Sequence, residues 1–502
     1  MAPPARPRRH PYWTLPAFVV LISIPVTWAL IAVAALIAVS WGVPAWRSAA
    51  ARRAGQAASA TPGQLKLGSD ERGRAVWLTP GQLAAHGLIV GASGAGKSTT
   101  LLRILGEQIA HGRPVVAIDL KGSPHFARAL EAEARAAGRP FALWTPDGPS
   151  RWNALAHGNP TELKDKLIAT ERFTEPHYQR AAERYVQIAL QVLHGTGTEP
   201  SLAGVVALME PRRLAATVRR LGGAEADRVQ EYLTGLTSDQ ISAVRGLGTR
   251  LALLSEGTAG PFLMPGPGGI DLRGSLDGPE VVLFSLNSSR YGQLAAQLGT
   301  LAIQDLVSAS GHRLEDAAGI EHPLAIVAVD EFSALRSDQL LALLARGRES
   351  GISVLLATQE LSDLERAARG FRDQVLGLTG LKIIHRQDVP SSAQTIAEMT
   401  GTERVWEDTH QLRGAFAPAG ASRGTRRAVE RFIVHPNEIK TLPTGQAVML
   451  TKIPVARVDR VGVTPPAPVG VIPPAPLRGT RGGTGSRQAG GRGDQPEPGV
   501  TR

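Results

Sequence analysis

The chain has no cysteine among its 502 residues. That excludes disulfides and cysteine-held metals, and it removes one guide to redox compartment. Its 12 histidines are scattered, with no H-E-x-x-H or H-x-x-E-H spacing, so zinc chemistry is not expected. Acidic residues are in deficit: 44 Asp and Glu stand against 55 Lys and Arg, a formal net charge of +11. The excess favours polyanionic partners, either nucleic acid or the anionic face of a membrane, although arginine-rich ends carry part of it.

Charge is nearly missing from one long stretch. Residues 15–46, LPAFVVLISIPVTWALIAVAALIAVSWGVPAW, exceed the roughly 20 apolar residues that span a bilayer. Trp13, Trp28, Trp41 and Trp46 supply interface anchors. The run is too long for the apolar core of a cleaved secretory signal, so it is read as a transmembrane anchor. Arg6, Arg8 and Arg9 precede it, and Arg47, Arg52 and Arg53 follow. One span kinked at Pro25 and a tight hairpin of two spans both fit the run. Residues 47–63 read as a basic juxtamembrane linker.

Strand structure is missing from another stretch. Residues 161–256 show helical period throughout and no good strand, with segments such as 178–193, 202–208, 211–221 and 224–254. Arg212, Arg213, Arg219 and Arg220 lie there, as a solvated face or as a contact to DNA or a partner. Either side of this stretch, strand and helix alternate, which argues for an α/β sheet.

What is present is a phosphate-binding loop, Gly91-Ala92-Ser93-Gly94-Ala95-Gly96-Lys97-Ser98, followed by Thr99. It matches G-x-x-x-x-G-K-S between an apolar strand, Leu88-Ile89-Val90, and a helix. Loop N–H groups and the helix dipole can hold a polyphosphate; Lys97 would reach the β- and γ-phosphates and Ser98 would ligate magnesium. A nucleoside triphosphate and Mg2+ are therefore the expected ligands. A hairpin, 64–67 and 75–78, leads into this strand. A second strand ends in Asp119-Leu120-Lys121-Gly122, at the carboxyl end where doubly wound sheets build their sites. Leu324–Val329 is an apolar run ending in Asp330-Glu331, the Walker B pattern that brings one acid beside magnesium and a second to the attacking water. The strand Ile352–Thr358 ends in Gln359, an amide placed to report on the γ-phosphate.

Later segments read as a strand at 381–384, a helix at 391–399, a polar loop over 403–428, and final strands at 432–434 and 446–450. From Thr464 to Arg502 there are 8 prolines and 9 glycines, a composition that cannot bury a core.

Over residues 64–455 the chain resembles the conjugative coupling proteins of type IV secretion systems, membrane-anchored ring ATPases of the FtsK–HerA superfamily. The resemblance rests on VGASGAGKST, IDLKGS, EPHYQRAAERYVQIAL, LFSLNSSRYGQLAAQLGTLAIQDL, VAVDEFSAL, GRESGISVLLATQ and HRQDVPSSAQTIAEMTG, in that order around a helical interruption. It implies an α/β fold: a RecA-like P-loop NTPase core with an inserted all-α domain and an N-terminal transmembrane anchor. The expected divisions are 1–46 (basic segment and anchor), 47–63 (linker), 64–160 (first part of the ATPase domain), 161–256 (helical insertion), 257–458 (second part) and 459–502 (disordered tail).

By the same resemblance, the nucleotide is ATP, and Lys97 and Ser98 are the loop lysine and magnesium ligand. Asp330 is the magnesium-coordinating acid, Glu331 the water-activating one and Gln359 the sensor. Arg348 is the arginine offered to a neighbouring subunit, with Arg346 as its rival. It further implies a homo-hexamer at the inner (plasma) membrane with a cytoplasmic ATPase domain. The ring would move DNA, as a relaxase-bound single strand, to components of a type IV secretion channel. Two other readings are an FtsK/HerA-type double-stranded DNA translocase, against which no C-terminal winged-helix module is seen, and a docking receptor with a vestigial nucleotide site. Two features depart from the family. Its two spans usually flank a small outer domain, whereas this apolar run is compact, and the tail is basic instead of distinctly acidic.

Overall fold

A computed structural model describes residues 63–466, apart from residues 172, 174, 317–321, 336 and 411–423. The expected anchor, nearly all of the linker, and the chain beyond Pro466 lie outside the described residues. Among the described residues no helix is long and apolar enough to cross a membrane.

Thirteen strands are described: β1 (Leu65–Ser69), β2 (Ala75–Leu78), β3 (Gly87–Val90), β4 (Val115–Asp119), β5 (Phe141–Trp144), β6 (Val281–Ser285), β7 (Ala325–Asp330), β8 (Ile352–Thr358), β9 (Leu381–Ile384), β10 (Thr402–His410), β11 (Gly424–Phe432), β12 (Gln446–Thr451) and β13 (Arg457–Val463). Eleven of them form one sheet in the order β2-β1-β13-β12-β9-β3-β8-β7-β4-β6-β5. The pairings from β9 to β5 are all parallel. The other side is antiparallel, β12 joining β9 and then β13, β1 and β2.

The central strands are buried on both faces, which is why they read as unbroken apolar runs. Alternate residues divide between two cores. Ile89, Val115, Ala117, Ile326, Ala328 and Leu355 face the helices Lys97–Ala110 and Pro124–Ala136. Leu88, Val90, Val116, Ile118, Val327 and Val329 face the helices Gln293–Asp316 and Ser337–Gly347. Each fully buried aliphatic side chain contributes roughly 1.5–3 kcal/mol.

Between β5 and β6 the chain runs through helices at Pro160–Ala169, Pro176–Gly195, Leu202–Leu208, Pro211–Val218, Gly223–Thr234 and Ser238–Ser255. The helix expected over 224–254 is two. The break falls at Gly235, and the second helix starts on a capping box in which Thr237 and Gln240 satisfy each other's backbone N–H groups. This helical region joins the second core and is tied to the helix Gln293–Asp316 by a buried bridge. Lys166 Nζ donates to Asp305 Oδ1 at 2.7 Å and to the carbonyls of His157 and Ala154, while Trp152 Nε1 donates to Asp305 Oδ2 at 3.2 Å.

Three further expectations are corrected. Residues 403–428, read as a loop, contain most of an antiparallel ribbon of β10 with β11. Its register opposes Glu403 to Arg431, Arg404 to Glu430, Glu407 to Arg427 and Asp408 to Arg426. Four of its nine pairs oppose unlike charges, and the apolar pairs, Val405 with Val429 and Trp406 with Ala428, are adjacent along the ribbon, so no hydrophobic alternation marks it. The tail begins later than residue 459, because β13 runs to Val463 and is paired on both sides, with Val461 buried. The strand expected at 432–434 is only the end of β11 at Phe432.

Candidate functional site

The sheet order brings the site together. β3, β8, β7 and β4 are neighbours, with Val90 opposite Thr358, Ala357 opposite Asp330 and Asp330 opposite Asp119. The phosphate loop, Gln359, the two Walker B acids and Asp119 therefore share the carboxyl edge of four adjacent strands.

The loop's glycines are needed where they stand. Gly96 caps the helix at φ 117°, and a Cβ at Gly91 would lie 2.6 Å from His385 Cβ. Both positions favour glycine, one by conformation and one by space. Lys97 is buried and donates to the Gly91 carbonyl at 2.7 Å, while Ala92 N–H is held by the Arg386 carbonyl at 2.8 Å. Burial presses the Lys97 ammonium below its usual range, against the pull of Glu331.

Ser98 Oγ donates to Asp330 Oδ2 at 3.3 Å. Asp330 is pushed up to about 6, first by burial and then by the charge of Glu331. A hydroxyl and a carboxylate aimed together form an all-oxygen set, which suits a hard cation such as Mg2+ that keeps water and phosphate as its other ligands. Bound cation charge would relieve the strain on the Asp330 carboxylate. Among the described residues no group of three or more His, Asp or Glu side chains could hold a metal unaided.

Glu331 sits at φ 58°, a left-handed conformation costing on the order of 1–3 kcal/mol for a non-glycine residue. Its Oε1 accepts from Gln359 Nε2 at 3.0 Å and from Lys121 Nζ at 2.6 Å, with Lys97 Nζ at 4.0 Å. Burial is the largest influence on Lys121 and opposes its charge, but the bond to Glu331 and the charges of Glu331, Asp330 and Asp119 together outweigh it and hold that ammonium above its usual range. Asp119, raised by burial, accepts the backbone N–H groups of Lys121 and Ser123.

Five predicted residues thus converge: Lys97, Ser98, Asp330, Glu331 and Gln359. Arg348 and Arg346 do not join them. Both are exposed and precede β8, at the opposite edge of the sheet, about 20 Å from the loop at strand rise. Neither can serve the site of its own chain.

Two participants escaped the sequence reading. Lys121 was visible beside Asp119, but only the adjacency of β4 and β7 brings it to Glu331. His385 lies buried under the loop, with Nδ1 2.9 Å from the Gln446 carbonyl and Nε2 2.9 Å from Thr100 Oγ1. The carbonyl can only accept, so Nδ1 carries the proton and Nε2 accepts from the hydroxyl. Burial first of all lowers His385 to about 4 and keeps it neutral.

The family described as the TraM recognition site of TraD and TraG matches residues 325–444, and the HerA-like helicase C-terminal family matches residues 64–134. No curated protein matches the chain in sequence. Among solved structures, the bacterial conjugative coupling protein TrwB, in its unbound form lacking the first 70 residues, superposes with a TM-score of 0.57 at 15% identity. The match covers 79% of this chain and 88% of that one. TrwB in complex with ADP and Mg2+ gives 0.58 at 16% identity, covering 82% and 91%. VirB4 of Thermoanaerobacter pseudethanolicus gives 0.53 at 14% identity, covering 81% and 98%. At such identities the structural likeness establishes the fold. With the two family matches, it supports placing the chain with the type IV secretion coupling proteins, P-loop ATPases of the FtsK–HerA type.

Proposed function

We propose that this protein is a membrane-anchored ATPase that couples ATP hydrolysis to moving DNA, alone or with an attached relaxase, into a type IV secretion channel. The observation that carries the reading is the convergence of Lys97, Ser98, Asp330, Glu331 and Gln359 on adjacent strand ends. The phosphate loop and Lys97 would bind the polyphosphate, and Ser98 and Asp330 would hold Mg2+, whose charge would offset that developing on the phosphates. Glu331 accepts the proton of the attacking water as its oxygen bonds to the γ-phosphorus. The bond from that phosphorus to the bridging oxygen breaks, and ADP leaves with the electron pair. Gln359, hydrogen-bonded to Glu331, transmits the state of that carboxylate to the segment after β8.

The remote Arg348 favours a ring. An arginine that cannot reach its own loop can stabilise the γ-phosphate of a neighbour, so hydrolysis depends on assembly, here as a hexamer. The apolar run 15–46 anchors the ring at the inner membrane with the ATPase in the cytoplasm, and the helices within 161–256 contact cargo. A DNA-transfer assay comparing wild type with Lys97→Ala tests this. Loss of both transfer and ATP turnover is expected; retention of both would overturn the motor reading.

A further inference from the structure

One oxygen at the site is claimed from three sides. Glu331 Oε1 accepts from Lys121 Nζ at 2.6 Å and Gln359 Nε2 at 3.0 Å, and Lys97 Nζ stands 4.0 Å off. Lys97 belongs to the phosphate loop and Gln359 to the neighbouring strand end. Lys121 belongs to neither, yet it makes the shortest of the three contacts. Its main chain is pinned: Asp119 Oδ1 accepts the Lys121 N–H at 2.9 Å, and a Cβ on the next residue, Gly122, would meet Asn287 Cβ at 2.5 Å. Its side chain is not pinned. It is 41% exposed, against 14% for Glu331.

The chemistry of these neighbours conflicts. A carboxylate oxygen occupied by an ammonium is a poor acceptor for a proton from water. A flexible ammonium whose reach overlaps that of the loop lysine is drawn more strongly to a triphosphate than to one carboxylate. We propose that Lys121 is a positioning residue that clamps Glu331 and releases it when the terminal phosphate of a bound nucleoside triphosphate draws the ammonium away. The inference rests on the nucleotide-hydrolysing reading of the site. It makes the general base available only where a γ-phosphate is present, and a diphosphate leaves the clamp closed.

Binding separates this from a fixed charge. Were Lys121 and Glu331 immobile, their mutual attraction would be the same with and without nucleotide, and their substitutions would act additively on affinity. A transfer of the ammonium from carboxylate to phosphate makes them couple. The test uses the full chain, titrated with a non-hydrolysable ATP analogue and with ADP. Wild type, Lys121→Met, Glu331→Gln, the double variant and Lys121→Arg are compared, and thermal unfolding of each without nucleotide verifies folding. Lys121→Met is expected to weaken the ATP analogue about tenfold and leave ADP unchanged, the effect of one charge-assisted hydrogen bond. Glu331→Gln is expected to tighten the analogue more in the presence of Lys121 than in the Lys121→Met background, and Lys121→Arg to restore the preference for triphosphate.

Equal weakening of analogue and ADP, or equal gains from Glu331→Gln in both backgrounds, would overturn the clamp. If instead wild type binds neither nucleotide, or Lys97→Ala binds both as wild type does, the nucleotide reading itself fails. The two failures are thus told apart.

Discussion

Replacing Lys166 by methionine removes the cation that ties the helical region to the helix Gln293–Asp316. Lys166 is 1% exposed and Asp305 8%, and their contact is 2.7 Å. Methionine fills similar volume, so the loss is electrostatic. Asp305 keeps only the 3.2 Å bond from Trp152 Nε1, and the carbonyls of His157 and Ala154 lose their donor. Breaking a buried pair by removing one partner costs about 3–5 kcal/mol, because the other charge stays desolvated and unmatched. Replacing both partners, Lys166→Met with Asp305→Leu, removes that charge and should recover most of the loss. The Trp152 N–H then remains unsatisfied, which leaves a deficit of about 1–3 kcal/mol. Urea unfolding followed by tryptophan fluorescence reads both variants, since Trp144 and Trp152 pack edge to face in the same core. A single variant costing less than about 1 kcal/mol, or a double variant no more stable than the single, would refute the assignment of this bridge as a buried, desolvated fastening.

Other outcomes follow from the site. Glu331→Gln should retain binding of ATP and lose hydrolysis by about 10²–10⁴-fold, measured as phosphate release. Arg348→Ala and Lys97→Ala should each be inactive alone yet regain partial turnover when co-assembled, because one subunit's loop can then meet the other's arginine; no recovery on mixing would remove Arg348 from that role, and the same experiment with Arg346→Ala tests its rival. The neutral His385 makes stability pH-dependent. Its folded pKa of about 4 lies below the ordinary 6.5, so its contribution is fully present above pH 6.5 and is lost as pH falls toward 4, about 3 kcal/mol in all. Urea midpoints at pH 7.5 and 5 should differ in wild type and differ less in His385→Gln.

The parts of this site that were legible share one property: their signal is local. Gly91–Ser98 carries its own strand, loop and helix, and Asp330-Glu331 and Gln359 each close an apolar run. The ribbon of β10 and β11 was not legible. Its register is written in charge pairs separated by up to 28 residues, Glu403 with Arg431 among them, and not in a buried alternation. β13 was hidden similarly, as a short strand with arginines at 457 and 460 whose place depends on β1 and β12 lying on either side. The Gly235 break between two helices lies between segments of continuing helical period, and the Thr237 capping box marks where the second begins.

The amino-acid order alone offered the residue types on which the proposed chemistry draws: a glycine-rich phosphate-loop motif, two acids closing one apolar run, an amide closing another and arginines at 346 and 348, together with an apolar run of bilayer length. Local backbone preference and residue type suffice for those. Tertiary structure alone decided who meets whom. Placing β8 and β7 between β3 and β4 aligns Val90, Thr358, Asp330 and Asp119 along one edge. The same order sets Lys121 on Glu331, slides His385 under the loop and leaves Arg348 at the far edge of the sheet. Strand order is a long-range choice, made by burying two apolar faces at once, and no single segment encodes it.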